Sequence, residues 1–66
     1  MKMHYDEKVD ALYLSLDDSE VVESEEVKPG IVLDFNADGQ VVGIEVLDLK
    51  RRVPNADLKQ LDFELL

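Results

Sequence analysis

The sequence predicts a small α+β fold: an antiparallel β-sheet of four or five strands, mostly meander, with a C-terminal helix packed on one face. Three observations predict it. Ile31, Leu33 and Phe35, then Val42, Ile44 and Val46, recur with period two on either side of Asp38-Gly39, the pattern of two half-buried strands joined by a tight reversal. Leu12, Leu14 and Leu16 alternate with Tyr13 and Ser15 in the same way. After Leu47 the apolar period lengthens, and Leu58, Leu61 and Leu65 fall at helical spacing.

The organising element is the hairpin from Ile31 to Leu47. A two-residue loop at Asp38-Gly39 sets Phe35 opposite Val42, Leu33 opposite Ile44 and Ile31 opposite Val46, with all six on one face. A four-residue loop keeps that face. A three-residue loop with Gly39 in a bulge shifts Ile31 opposite Glu45, so the apolar pattern argues against it although the wording Asn-Ala-Asp-Gly permits it.

The other elements follow in order. Met3 and Tyr5 alternate with Lys2 and His4, which predicts a short first strand with His4 outward. His4 is the single histidine and has no cysteine to share a metal with, so a structural role is expected. Asp6 to Asp10 is a polar connection, and its shortness pairs the strand at Ala11–Leu16 antiparallel to the first. Tyr13 is expected to pack across strands. Asp17-Asp18-Ser19 marks a turn. From Glu20 to Val27 neither phase of the alternation gives a clean apolar face, which predicts an edge strand whose charges discourage unwanted pairing. Lys28-Pro29-Gly30 punctuates the chain before the hairpin. Asp48 to Val53 makes a turn of helix stopped by Pro54, with Lys50, Arg51 and Arg52 favouring its dipole. Asn55 is a candidate N-cap for a helix running to about Asp62. Phe63, Leu65 and Leu66 either complete the core or form a contact surface.

The expected core draws on Met3, Tyr5, Leu12, Leu14, Leu16, Ile31, Leu33, Phe35, Val42, Ile44, Val46, Leu58 and Leu61. Gly43 lies on the opposite face, where a bare backbone admits close approach by another backbone or a bulky neighbour. The 66 residues are read as a single small domain, 1–66, with a marginal core. Without cysteine there is no disulfide to staple it, so a partner or a second copy is the expected supplement. The first residues hold no apolar signal segment and no run approaches a membrane span, so the expected location is cytoplasmic, with no membrane partner.

A net charge of −9 argues against nucleic acid, which needs a local excess of Lys and Arg. It favours instead a basic protein surface. Asp34, Asn36, Asp38, Gly39 and Glu45 satisfy the spacing of an EF-hand calcium loop. That loop needs a helix on each side, whereas strands flank this one, so cation binding is the least favoured reading. There is no cysteine nucleophile, Gly-x-Ser-x-Gly setting or glycine-rich phosphate loop, and a core this small leaves little room for a pocket. No enzyme activity, cofactor or catalytic residue is expected.

Tyr5-Asp6, Asp10 to Leu16, Gly30 to Asp34 and Asp38 to Asp48 together resemble domain-of-unknown-function family 2283 of small bacterial and archaeal domains. The resemblance covers about the first three quarters of the chain. After Asp48 this chain departs from it, with Leu49-Lys50 where the family often has small residues. The resemblance implies a stand-alone sheet domain with no established activity or site, and an antitoxin-like role by association with toxin-like neighbours. The expected function is a protein-interaction domain that meets a basic partner through Glu20, Glu23, Glu25, Glu26, Phe63, Leu65 and Leu66. The alternatives are a self-associating structural domain, which would be a homodimer, and a divalent-cation-binding domain.

Overall fold

A computed structural model describes all residues, 1–66. The chain forms strands β1 (Lys2–Asp6), β2 (Ala11–Ser15), β3 (Glu23–Lys28), β4 (Ile31–Phe35) and β5 (Val41–Val46), then one helical turn, α1 (Leu49–Arg52). The strands make one five-stranded sheet in the order β1-β2-β5-β4-β3, antiparallel throughout. Only the β2–β3 link joins strands that are not neighbours. It leaves β2 where the Leu16 N–H donates to the Val42 carbonyl at 2.8 Å and enters β3 where the Val22 N–H donates to the Phe35 carbonyl at 2.8 Å.

Two irregularities reconcile the central hairpin with its hydrophobic pattern. The Gly39 N–H donates to the Asn36 carbonyl and the Asn36 N–H to the Gln40 carbonyl, both at 3.0 Å, so the loop is the three residues Ala37-Asp38-Gly39. Gly39 has φ 76, the left-handed conformation such a loop requires of its last residue. Phe35 then faces Val41 rather than Val42, which corrects the two-residue reading. Between Phe35 and Asp34 the register shifts, leaving Val42 as the extra residue. Beyond it Leu33 faces Ile44 and Ile31 faces Val46, as the apolar pattern demands. The bulge compensates the loop. A further register shift in β3, between Glu26 and Lys28, precedes the Pro29-Gly30 turn.

Ladder partners share a face, so the register assigns every strand residue to one of two surfaces. Met3, Leu14, Ile44, Leu33 and Glu25 form one row across the sheet, and Tyr5, Leu12, Val46, Ile31 and Lys28 the next. On the reverse, Lys2, Ser15, Gly43, Asp34 and Ser24 form one row, and His4, Tyr13, Glu45, Val32 and Glu26 another.

The first surface is apolar, but it is not a closed core. Of the expected core residues only Val42, at 3 % exposure, is buried; Met3, Leu16, Leu58 and Leu61 are exposed and the others are half-buried. The expected helix over Asn55 to Asp62 does not form. Residues 53–66 instead run as turns and irregular chain, in which the Ala56 N–H donates to the Val53 carbonyl and the Gln60 N–H to the Asp57 carbonyl. The Asp57 side chain accepts the Lys59 N–H at 3.0 Å, a local bond that competes with helix. An eight-residue helix is also too short to sustain itself without extensive packing. Leu58 and Leu61 still reach Met3, Tyr5 and Leu12, with which they line a shallow groove.

The helix of the fold is therefore α1, at the end of the sheet where β5 finishes. Leu49 is 6 % exposed. The Asp10 carboxylate accepts the Lys50 N–H at 3.1 Å, and the Asp10 carbonyl accepts the Leu49 N–H at 3.1 Å. Arg52 donates through Nε to the Leu47 carbonyl at 2.7 Å and through a terminal nitrogen to the Pro29 carbonyl. One helical turn thus clasps the β1–β2 loop and the β3–β4 turn together.

Candidate functional site

The two surfaces hold different candidates. On the polar one, β2, β5, β4 and β3 converge on Asp34, a carboxylate only 3 % exposed. Ser24 Oγ, directly across the β3–β4 ladder, donates to Asp34 Oδ1 at 2.5 Å. Gly43 lies opposite Asp34 on β5 and opposite Ser15 on β2. A methyl group on Gly43 would meet the Tyr13 hydroxyl, the ring carbon bearing it at 2.9 Å and Asp34 Oδ2 at 3.1 Å. The absent side chain is what lets Tyr13 lie across the sheet. The other side of Tyr13 stacks on His4, with ring centroids 6.2 Å apart.

Burial raises the Tyr13 phenol above its ordinary range, helped by the negative charge of Asp34, the hydrogen bond to it and the charge of Glu45. Burial also raises Glu45, with a hydrogen bond to Asp34 and its charge adding to the effect. Chemically the cluster is a satisfied polar network: no buried side-chain nitrogen or oxygen lacks a partner.

The EF-hand-like residues are engaged in the hairpin itself. Asn36, 7 % exposed, accepts the N–H groups of Asp38 and Gln40 on Oδ1 at 3.0 Å and donates to Gln40 Oε1 at 2.9 Å. Asp34 and Glu45 lie on strands. The Asn36 amide oxygen faces the loop backbone, whereas the Asp34 carboxylate faces Ser24 and Gly43.

The apolar surface carries the interaction candidates. Met1, Met3, Leu14, Leu61 and Phe63 line a groove of about 340 Å³ along β1 and β2. Phe63 is 70 % exposed and Leu65 87 %, and Leu66 is fully exposed. At the opposite edge, β3 is exposed along its whole length. Its register divides the predicted acidic run: Glu23 faces Phe35 and Glu25 faces Leu33 on the apolar side, whereas Glu26 faces Val32 on the polar side. Glu20 lies apart from them in the β2–β3 link, beside Asn36, Ala37 and Asp38. The structure therefore does not gather the seven predicted residues into one patch. Glu23 and Glu25 flank one side of the apolar surface and Phe63 the other.

Sequence reasoning missed the Ser24–Asp34–Tyr13–Glu45 network. The available signal was an acidic residue inside a strong strand, Asp34, level with a glycine in the next strand.

No helix is long and apolar enough to cross a membrane. No curated protein and no solved structure matches the chain. The model of one family, described as a protein of unknown function (DUF2283), matches residues 2–50. That span takes in the whole sheet and the first half of α1, and leaves the segment that runs to Phe63 and Leu66 outside it. A match over most of the chain, containing every strand and both partners of the Asp10–Lys50 bond, places this protein in the DUF2283 family.

Proposed function

We propose that this is a non-enzymatic protein-interaction domain that engages a protein partner through the apolar surface of its sheet. The observation that supports this reading is the half-covered state of that surface. Leu12, Leu14, Ile31, Leu33, Ile44 and Val46 form a continuous apolar field in the ladder, each of them is half-buried, and Leu58, Leu61 and Phe63 line grooves with Met3, Leu12 and Leu14 on its β1–β2 side. Contiguous exposed apolar surface is a marker of association, because burying it against a partner gains roughly 25 cal/mol per Å².

The test is site-specific photo-crosslinking in cells that make the full protein. A photoreactive residue at position 33 is expected to yield a protein adduct, and the same residue at position 26, on the other face, is expected to yield none. Equal adducts from both positions, or none from 33, would overturn the reading.

A further inference from the structure

We infer that the partner closing the apolar surface carries an apolar stripe bordered on one side by Lys or Arg, and that Glu23 and Glu25 are the residues that meet those cations. The inference rests on the reading above and specifies the occupant.

The ladder register carries the argument. The row Met3, Leu14, Ile44, Leu33 ends at Glu25, one strand spacing of roughly 4.8 Å beyond Leu33. Two residues along β3, Glu23 stands in the same relation to Phe35. Both carboxylates therefore border the apolar field on its own side of the sheet. Neither has a cation: the chain's ion pair is Arg51–Asp48, and Lys28 pairs with neither glutamate. The opposite border is apolar, with Met3 beside Leu61 and Phe63. The surface is thus polarised across the strands, apolar at β1 and β2, with Glu23 and Glu25 on its β3 border and Lys28 beyond them, level with Ile31, at the Pro29-Gly30 end.

Charge complementarity selects the occupant. A partner that covers Leu33 and Ile44 brings its own margin over Glu23 and Glu25, where apolar groups would desolvate two carboxylates and acidic groups would repel them. Lysine or arginine there neutralises both. A second copy is the poorer occupant, because it adds a net charge of −9 to the −9 already present.

The probe is a short amphipathic peptide with leucine along one helical face and lysine along its flank, titrated into the full chain at physiological salt. Peptide binding is expected, and the Glu23→Lys, Glu25→Lys double variant is expected to bind roughly tenfold more weakly. The Glu20→Lys, Glu26→Lys double variant has the same net charge but changes residues off this surface, and is expected to bind within about twofold of the parent. Equal weakening in both doubles, or equal binding of a peptide with glutamate in place of lysine, would overturn the inference. A dimer in sedimentation equilibrium that protects Leu33 would also overturn it, by giving the surface to a second copy. Leu33→Ala separates the two levels. If it weakens the peptide while the charge variants behave alike, the apolar docking surface stands and its acidic border does not. If it has no effect, the docking surface falls as well.

Discussion

The Asp10 carboxylate accepts the backbone N–H of Lys50 across forty positions of sequence, and the same carboxylate accepts the Tyr5 hydroxyl at 2.6 Å. A loop residue between β1 and β2 thereby satisfies an N-terminal donor of α1, a service normally rendered by the residue just ahead of a helix. Asp48, which occupies that place, makes no such side-chain bond.

Asp10 itself has φ 54, a conformation that asparagine and aspartate tolerate better than alanine. Asp10→Ala loses the cap and adds backbone strain, with an expected cost of about 2 kcal/mol. Asp10→Asn keeps the conformation and one acceptor oxygen and should cost clearly less. Urea unfolding of the two variants gives the comparison, and equal costs would show that the carboxylate alone matters.

The same contact pushes the Tyr5 phenol up to about 12, first through its hydrogen bond to Asp10. In the unfolded chain Tyr5 ionises near pH 10, whereas the folded chain holds its proton. The Tyr5 contribution is therefore complete below about pH 10 and lost between about pH 10 and 12. Tyr5→Phe should remove this alkaline component, read as a shallower fall of melting temperature with pH above about 10.

On the polar surface, Gly43→Ala should destabilise by about 1–3 kcal/mol, because the new methyl group displaces Tyr13 and crowds Asp34. Tyr13→Phe removes the hydroxyl that the methyl meets. In a double-mutant cycle the two changes should then cost less together than the sum of their separate effects. Strict additivity would mean that the Tyr13 ring does not depend on the bare backbone at Gly43.

Glu45 gives a pH dependence of defined sign. Burial and Asp34 raise its folded-state pKa above 4.5. Below that pH both states keep the proton. As pH rises the unfolded state releases it first, so this group subtracts stability up to the raised folded value and leaves the loss in place beyond it. Glu45→Gln should raise the melting temperature at neutral pH, and the gain should vanish near pH 4. A gain that is the same at both pH values would contradict the raised titration of Glu45.

Strand identity was legible because alternation reports burial of one face directly. It placed Ile31, Leu33, Ile44 and Val46 on one side in their observed pairings, and the lack of clean alternation from Glu20 to Val27 marked an exposed edge strand, which the structure forms over Glu23–Lys28. The bulge at Val42 was not legible, since a three-residue loop with a compensating extra residue leaves the same apolar phase as a two-residue loop without one. The spacing of Leu58 and Leu61 was read as a core-facing helix, whereas turns leave both leucines exposed along a groove with Met3 and Leu12. Asp10 carried no local signal for its partner. A cap supplied from forty residues away is a tertiary fact. The acidic run and the apolar end were read as one surface, and the sheet order sets them on opposite borders.

The most direct measurement is solvent paramagnetic relaxation of methyl groups in the purified full chain at micromolar concentration. The account predicts strong relaxation at Leu33 and Ile44, against weak relaxation at Val42 and Leu49, with the Leu33 and Ile44 signals becoming protected when the lysine-flanked peptide is added. Leu33 and Ile44 methyls as protected as those of Val42 and Leu49 before any addition would show the apolar surface already closed, and would contradict its role as a docking site.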